Sequence, residues 1–135
     1  MNILLIGSGA REHALARALK QSRHQHKLFC LATNLNPGII NLCSELLVED
    51  INDASAVVNY AKKNNVSLAI IGPEGPLSAG VSDALWVSNI GVVGPKKNLA
   101  KVETSKSFAR NLLKKHGLTC NPKYKTFNSM EGASD

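Results

Sequence analysis

Three chemically active side chains, Arg11, Glu12 and His13, stand in a row directly after the glycine pair Gly7 and Gly9. The glycines close an apolar run, so a tight strand-to-helix turn is expected there, with backbone N–H groups offered to a ligand at the start of the helix. A turn of that kind favours an anion, and Gly7 to His13 reads as built to hold a small molecule carrying phosphate. Arg11 would fork onto a phosphate or carboxylate, while His13 would orient a loop or touch the ligand. The plainer reading of the same residues has Glu12 complementing the helix dipole and Arg11 solvated on the surface.

A second turn of similar make is Gly72-Pro73-Glu74-Gly75-Pro76-Leu77. Its prolines stiffen the loop and hold one carboxylate, Glu74, where it can accept hydrogen bonds from ribose hydroxyls or an amine. Glu74 is equally suited to the N-terminus of a helix with Pro76 in its first turn. Asp83 would cap a helix or face water, and His24, His26 and His116 sit in polar, basic surroundings that point to exposed side chains without chemistry. A dinucleotide is disfavoured on two counts. The third glycine of the Gly-x-Gly-x-x-Gly pattern is Glu12, and no carboxylate stands near Leu31 to Asn34 to meet a ribose.

These turns need strands to carry them. Asn2 to Ile6 is a continuous apolar run, as expected of a strand buried on both faces of a parallel sheet. Ala14, Leu15, Ala18 and Leu19 recur at helical spacing up to the polar run from Lys20, and Lys27 to Ala32 makes the second strand. Asn34 to Gly38 is a turn by composition, Glu45 to Val48 a short third strand, and Asp53 the expected N-cap of a helix carrying Ala56, Val57, Tyr60 and Ala61. Ser67 to Ile71, a helix over Pro76 to Ser88 and Gly91 to Val93 complete a pattern in which three strands stop at glycine turns. That order implies an α/β fold with a doubly wound, Rossmann-like parallel sheet flanked by helices, whose ligands sit at the strands' carboxyl ends. Thr104 is the expected cap of a further, basic helix reaching about His116. The stretch Asn128 to Asp135 is polar and small and reads as chain running on into something further.

Composition narrows the classes. With 135 residues, 44% of them apolar, one ordinary core is affordable. Cys30, Cys43 and Cys120 are odd in number and lack ligand spacing, so neither a disulfide framework nor a metal site is expected, and a reducing cytoplasm fits. No stretch approaches the ~18 consecutive apolar residues of a membrane span. The net charge of +6 is unevenly spread. Residues 1–95 hold seven basic and seven acidic side chains, whereas residues 96–125 hold nine basic ones against Glu103 alone. With only Phe108 and Tyr124 as aromatics, that segment reads as a helix face toward an anionic ligand, not as a nucleic-acid module.

Four spaced segments carry a resemblance: GSGAREHAL at 7–15, NPG at 36–38, GPEGPLSAGVSD at 72–83, and GP at 94–95 followed by ETSKSFAR at 103–110. Residues 1 to about 125 resemble the N-terminal part of the phosphoribosylamine–glycine ligase family, also called glycinamide ribonucleotide synthetases. The resemblance implies ATP-dependent joining of glycine to 5-phosphoribosylamine through a glycyl phosphate, in purine biosynthesis, with magnesium accompanying the ATP. It implies a Rossmann-like pre-ATP-grasp domain over residues 1–103 and the beginning of a truncated ATP-grasp region over 104–135. It places Gly7, Gly9, Arg11, Glu12, His13, Asn36, Gly38 and Glu74 toward the substrate and Lys106 toward nucleotide phosphates. No catalytic residue or metal ligand is expected within the chain. The ATP-grasp and C-terminal domains are expected as partners, on this chain or a second one, so that 135 residues bind substrate without completing the reaction. Ala10 stands where a third small residue, commonly glycine, occurs, and Asn34-Leu35-Asn36-Pro37-Gly38 departs from the commoner Pro-Gly-Asn loop. The competing readings are a free-standing nucleotide or sugar-phosphate binding module and an NAD(P)-binding oxidoreductase domain.

Overall fold

A computed structural model of the chain describes residues 1–127, 129 and 131, so most of the stretch Asn128 to Asp135 lies outside the described residues. Two compact units are present, Met1–Ala100 and Lys101–Asp135.

The first unit is a five-stranded, wholly parallel sheet. Its strands are β1 (Asn2–Ile6), β2 (Lys27–Ala32), β3 (Glu45–Val48), β4 (Leu68–Ile71) and β5 (Gly91–Val93), in the spatial order β3-β2-β1-β4-β5. The central strand β1 is paired on both sides, Leu5 standing opposite Cys30 on one edge and Ile70 on the other. Alternate residues of its apolar run serve opposite faces. Leu4 and Ile6 pack with Phe29, Leu31, Ala69 and Ile71 against the helices α3 (Ala54–Lys63), α4 (Glu74–Ala79) and α5 (Val81–Val87). Ile3 and Leu5 join Leu28 and Ala16 of α1 (Ala10–Lys20), and Cys30 and Ala32 meet Ile39 of α2 (Pro37–Ile40). Each fully buried leucine or isoleucine of β1 contributes about 1.5–3 kcal/mol relative to an exposed one.

Local chemistry ends the elements much as expected. The Asp53 carboxylate accepts from the backbone N–H groups of Ser55 and Ala56, capping α3. Three expectations are corrected. The helix over Pro76 to Ser88 is two helices, α4 and α5, because Gly80 adopts φ 93 between them, a left-handed conformation that no continuous helix contains. The turn at Asn34 to Gly38 leads into α2, since Asn36 accepts from the N–H of Gly38 and Pro37 supplies the first helical residue. Thr104 caps nothing: it ends α6 (Lys97–Thr104), a helix the apolar spacing did not announce. The hydroxyl of Ser105 accepts from the N–H of Phe108 and so caps α7 (Lys106–Lys115), the helix of the second unit. Within that unit Tyr124 donates to Asn111 and Asn121 donates to the carbonyl of Arg110, folding the segment after α7 back along it. No described helix is long and apolar enough to cross a membrane.

One core group is imperfectly accommodated. The Tyr60 hydroxyl is buried on α3 without a hydrogen-bond partner among the described residues. Burial first, and then the charge of Glu45, push its phenol well above the ordinary value; no hydrogen bond to Glu45 forms, so that carboxylate acts through charge. Cys30 is shifted the same way, up to about 12, chiefly by burial. Both groups stay protonated in the folded chain where the unfolded chain has begun to lose its protons, so stability is full below about pH 9 and falls as pH rises toward 12. Tyr60→Phe removes one of the two groups and a hydroxyl that forms no bond. Its stability at pH 7 should match the unsubstituted chain within about 1 kcal/mol, and its melting temperature should fall less steeply above pH 9, as read by circular dichroism.

Candidate functional site

Strands β1 and β4 are neighbours, yet the chain leaves β1 toward β2 on one side and β4 toward β5 on the other. The loops after them therefore diverge, leaving a crevice at the carboxyl ends of the two central strands. A cavity of about 260 Å³ lies there, bordered by Gly9, Ala10, Arg11, Glu12, Pro73 and Glu74. A larger cleft of about 670 Å³ between α3 and α5 is walled by Ala54, Val58 and Val87 and has one charged residue, Asp83. Asp83 is already engaged, accepting from the backbone N–H of Lys97 at 2.8 Å to cap α6. Of these two, the β1/β4 crevice holds more of the charged side chains.

Glu12 is the organising side chain. It is only 5% exposed, and its Oε2 accepts from the backbone N–H of Gly9 at 2.6 Å, the residue that caps α1. Gly9 has no side chain to return the bond, so the capping is one-sided. The carboxylate arm runs between both loops: a Cβ on Gly7 would come within 2.9 Å of Glu12 Cγ, one on Gly9 within 2.9 Å of Oε2, and one on Gly72 would overlap Oε1. The three glycines leave room for Glu12. Gly7 additionally holds φ 119, which admits no other residue without strain.

Arg11 ties the crevice from outside. Exposed on the first turn of α1, it donates from Nη1 to the carbonyl of Gly72 at 2.7 Å, while its other guanidinium N–H groups have no partner among the described residues. Glu74, first residue of α4, is exposed and makes no hydrogen bond among the described residues. Beneath the turn the Cys30 thiol donates to the carbonyl of Gly7 at 3.5 Å; burial, with Cys43 and Glu12 nearby, makes it a poor nucleophile.

Of the eight residues expected to face substrate, Gly9, Arg11, Glu12 and Glu74 border the cavity, and Gly7 is buried at the turn. Asn36 and Gly38 belong to the adjoining loop after β2, and His13, on α1, packs against that loop. Asn36 donates to the carbonyl of Ser8 at 2.8 Å and accepts from Gly38 at 2.9 Å, so both ends of its amide are engaged. The His13 ring packs where a Cβ on Gly38 would lie 2.6 Å away. The Ser8 hydroxyl, in turn, donates to Asn34. Lys106 is the exposed first residue of α7 in the second unit. His24 and His116 are exposed and His26 is half-buried, bonded through Nδ1 to the carbonyl of His24. The residues overlooked in the sequence are Ala10 and Pro73 as cavity walls and Ser8 as the anchor of the Asn36 loop. Pro73 was signalled by its place between Gly72 and Glu74; nothing marked Ser8.

The family model described as phosphoribosylglycinamide synthetase, N domain, matches residues 1–103. The chain belongs to the phosphoribosylglycinamide synthetase family. A phosphoribosylamine–glycine ligase of Methanosarcina barkeri is 48% identical over 135 residues, all of this chain and 31% of that protein. Another from Methanococcus vannielii is 48% identical, over 95% of this chain and 29% of its own length. The chain thus spans a little under a third of the curated relatives it matches. Among solved structures, the phosphoribosylglycinamide synthetase of Anaerococcus prevotii superposes with a TM-score of 0.65 at 19% identity, covering 86% of this chain and 29% of that one. The N5-carboxyaminoimidazole ribonucleotide synthetase of Thermotoga maritima superposes with a TM-score of 0.68 at 16% identity, over 98% and 35%. At those identities the superpositions establish the fold: the parallel α/β sheet is that of the synthetase N domain.

If Glu12 occupies the space that the glycines vacate, adding one methyl group opposite it should be costly. Gly72→Ala should destabilise the chain by about 1–3 kcal/mol in urea unfolding. In a Glu12→Ala background, where the overlapping carboxylate is gone, the same substitution should cost much less. Additive costs in that double-mutant cycle would show that the two residues do not compete for space.

Proposed function

We propose that this chain provides the substrate-binding N domain of an ATP-dependent ligase that joins glycine to the amine of 5-phosphoribosylamine. The observation that carries the reading is the β1/β4 cavity: in a chain of this family, the crevice is lined by a free carboxylate, Glu74, opposite the start of α1. Glu74 is exposed and unengaged, and a carboxylate accepts from the donors such a substrate offers, its ribose hydroxyls and its amine. Arg11, with one nitrogen on Gly72, holds the rest of its fork free at the cavity rim. Gly7, Gly9 and Glu12 shape the turn, and His13, Asn36 and Gly38 support it through the loop after β2.

In this reading the amide bond forms between the carboxyl carbon of glycine and the substrate's amine, with ATP supplying the activation and leaving as ADP and phosphate. Lys106, exposed at the start of the basic α7, is the residue of this chain offered to nucleotide phosphates. Among the described residues no group of three or more His, Cys, Asp or Glu side chains could hold a metal ion. In this reading most ligands of the magnesium that accompanies ATP belong to the further domains, which act as partners of this one. A reducing cytoplasmic setting suits a chain with three free cysteines.

Calorimetric titration of the 135-residue chain with ribose 5-phosphate tests the substrate site. A saturable heat is expected, weakened about tenfold or more by Glu74→Ala, the loss of one charge-assisted hydrogen bond, with the unfolding transition unchanged. No heat at millimolar ligand, or identical binding by the variant, would sink the assignment.

A further inference from the structure

The start of a helix ordinarily attracts anions because its first N–H groups are unpaired and the dipole is positive there. At α1 part of that vacancy is filled from within, at the N-cap. The N–H of Gly9 is bonded to Glu12 at 2.6 Å, and the carboxylate is nine-tenths buried against the end of the helix. Its second oxygen, Oε1, has no hydrogen-bond partner among the described residues, and Glu12 borders the cavity. The cavity walls carry two carboxylates, Glu12 and Glu74, against one guanidinium, and that guanidinium is partly committed to Gly72.

We infer that Glu12 is the specificity-determining residue of this cavity: a built-in anion that occupies the helix-terminal anion site, turns phosphate away and leaves the cavity to hydrogen-bond donors such as amines and sugar hydroxyls. The inference rests on the reading of the cavity as the substrate site and reverses one expectation drawn from the glycine turn. The donor-bearing end of a phosphoribosyl ligand enters the crevice, and its phosphate lies outside. A phosphate beside Glu12 would face a like charge and would find the Gly9 N–H already taken. A hydroxyl or amine finds acceptors instead, in Glu12 Oε1 and Glu74. The glycines Gly7, Gly9 and Gly72 then leave room for a carboxylate where the dinucleotide turn leaves room for pyrophosphate.

The test uses the 15N-labelled 135-residue chain and inorganic phosphate, following the amide signals of Gly9, Ala10 and Arg11 by NMR. In the unsubstituted chain those signals should not shift at millimolar phosphate. In Glu12→Gln, which keeps an acceptor for the Gly9 N–H and loses the charge, they should shift saturably, with binding at least about tenfold tighter. Saturable shifts at these amides in the unsubstituted chain, or no gain in the variant, would overturn the inference. Should the variant unfold, seen as collapsed signal dispersion, the unsubstituted chain alone decides by the same criterion. Ribose and ribose 5-phosphate titrated in parallel keep the two readings apart. If neither binds, the substrate reading fails, while the phosphate titrations still rule on Glu12.

Discussion

A single buried carboxylate arm, running from α1 back to the N–H of Gly9, is what the β1 turn and the β4 turn are arranged around. A charged group in that position has to be compensated, since an ion removed from water without partners costs several kcal/mol. The helix provides the compensation: the Gly9 N–H donates directly, and the positive end of α1 lies against the charge. Everything nearby follows from giving that arm space. Gly7, Gly9 and Gly72 have no side chains because Glu12 lies where their Cβ atoms would be. Pro73 packs on the same spot, its ring near Gly7, and Arg11 closes the far side by bonding the carbonyl of Gly72.

The sheet makes this possible by bringing distant segments together. Ile6 and Ile71 are partners in register, so the turns that follow them start side by side although they are about 65 residues apart in the chain. The N–H of Gly72 donates to the carbonyl of Ile6 and that of Gly7 to Leu31, extending the ladder past the strand ends and fixing both turns to the same rigid edge. The third loop, after β2, is pinned by Asn36 and Ser8. Such anchoring removes conformational freedom before any ligand arrives, which is what a pre-formed binding edge requires.

Charge is divided along the chain in the same sense. The segment that builds the sheet is balanced, and its crevice is bordered by more acid than base. The excess of lysine and arginine sits after residue 95, on α6, α7 and the segment beyond.

The residues by themselves determined the strands, because a buried parallel strand is written as a continuous apolar run and each run stops at a glycine or polar turn. Their order determined the doubly wound sheet and so pointed to the strand ends as the place for a ligand, and the four spaced segments determined the family. Helix ends were less legible. Gly80 reads as an ordinary small residue in the string, and only its left-handed backbone shows that it separates α4 from α5. The choice between Thr104 and Ser105 as a cap depends on which hydroxyl reaches a backbone N–H, a difference of one residue that propensity cannot resolve. The role of Glu12 was decided by tertiary structure alone. In sequence it is an acid in the first turn of a helix. Only when β1 and β4 pair does Gly72, 60 residues away, come to lie over its carboxylate, turning a dipole partner into the strut between two loops. Helical spacing encodes neighbours three or four residues apart; it carries no record of what a sheet will bring against them.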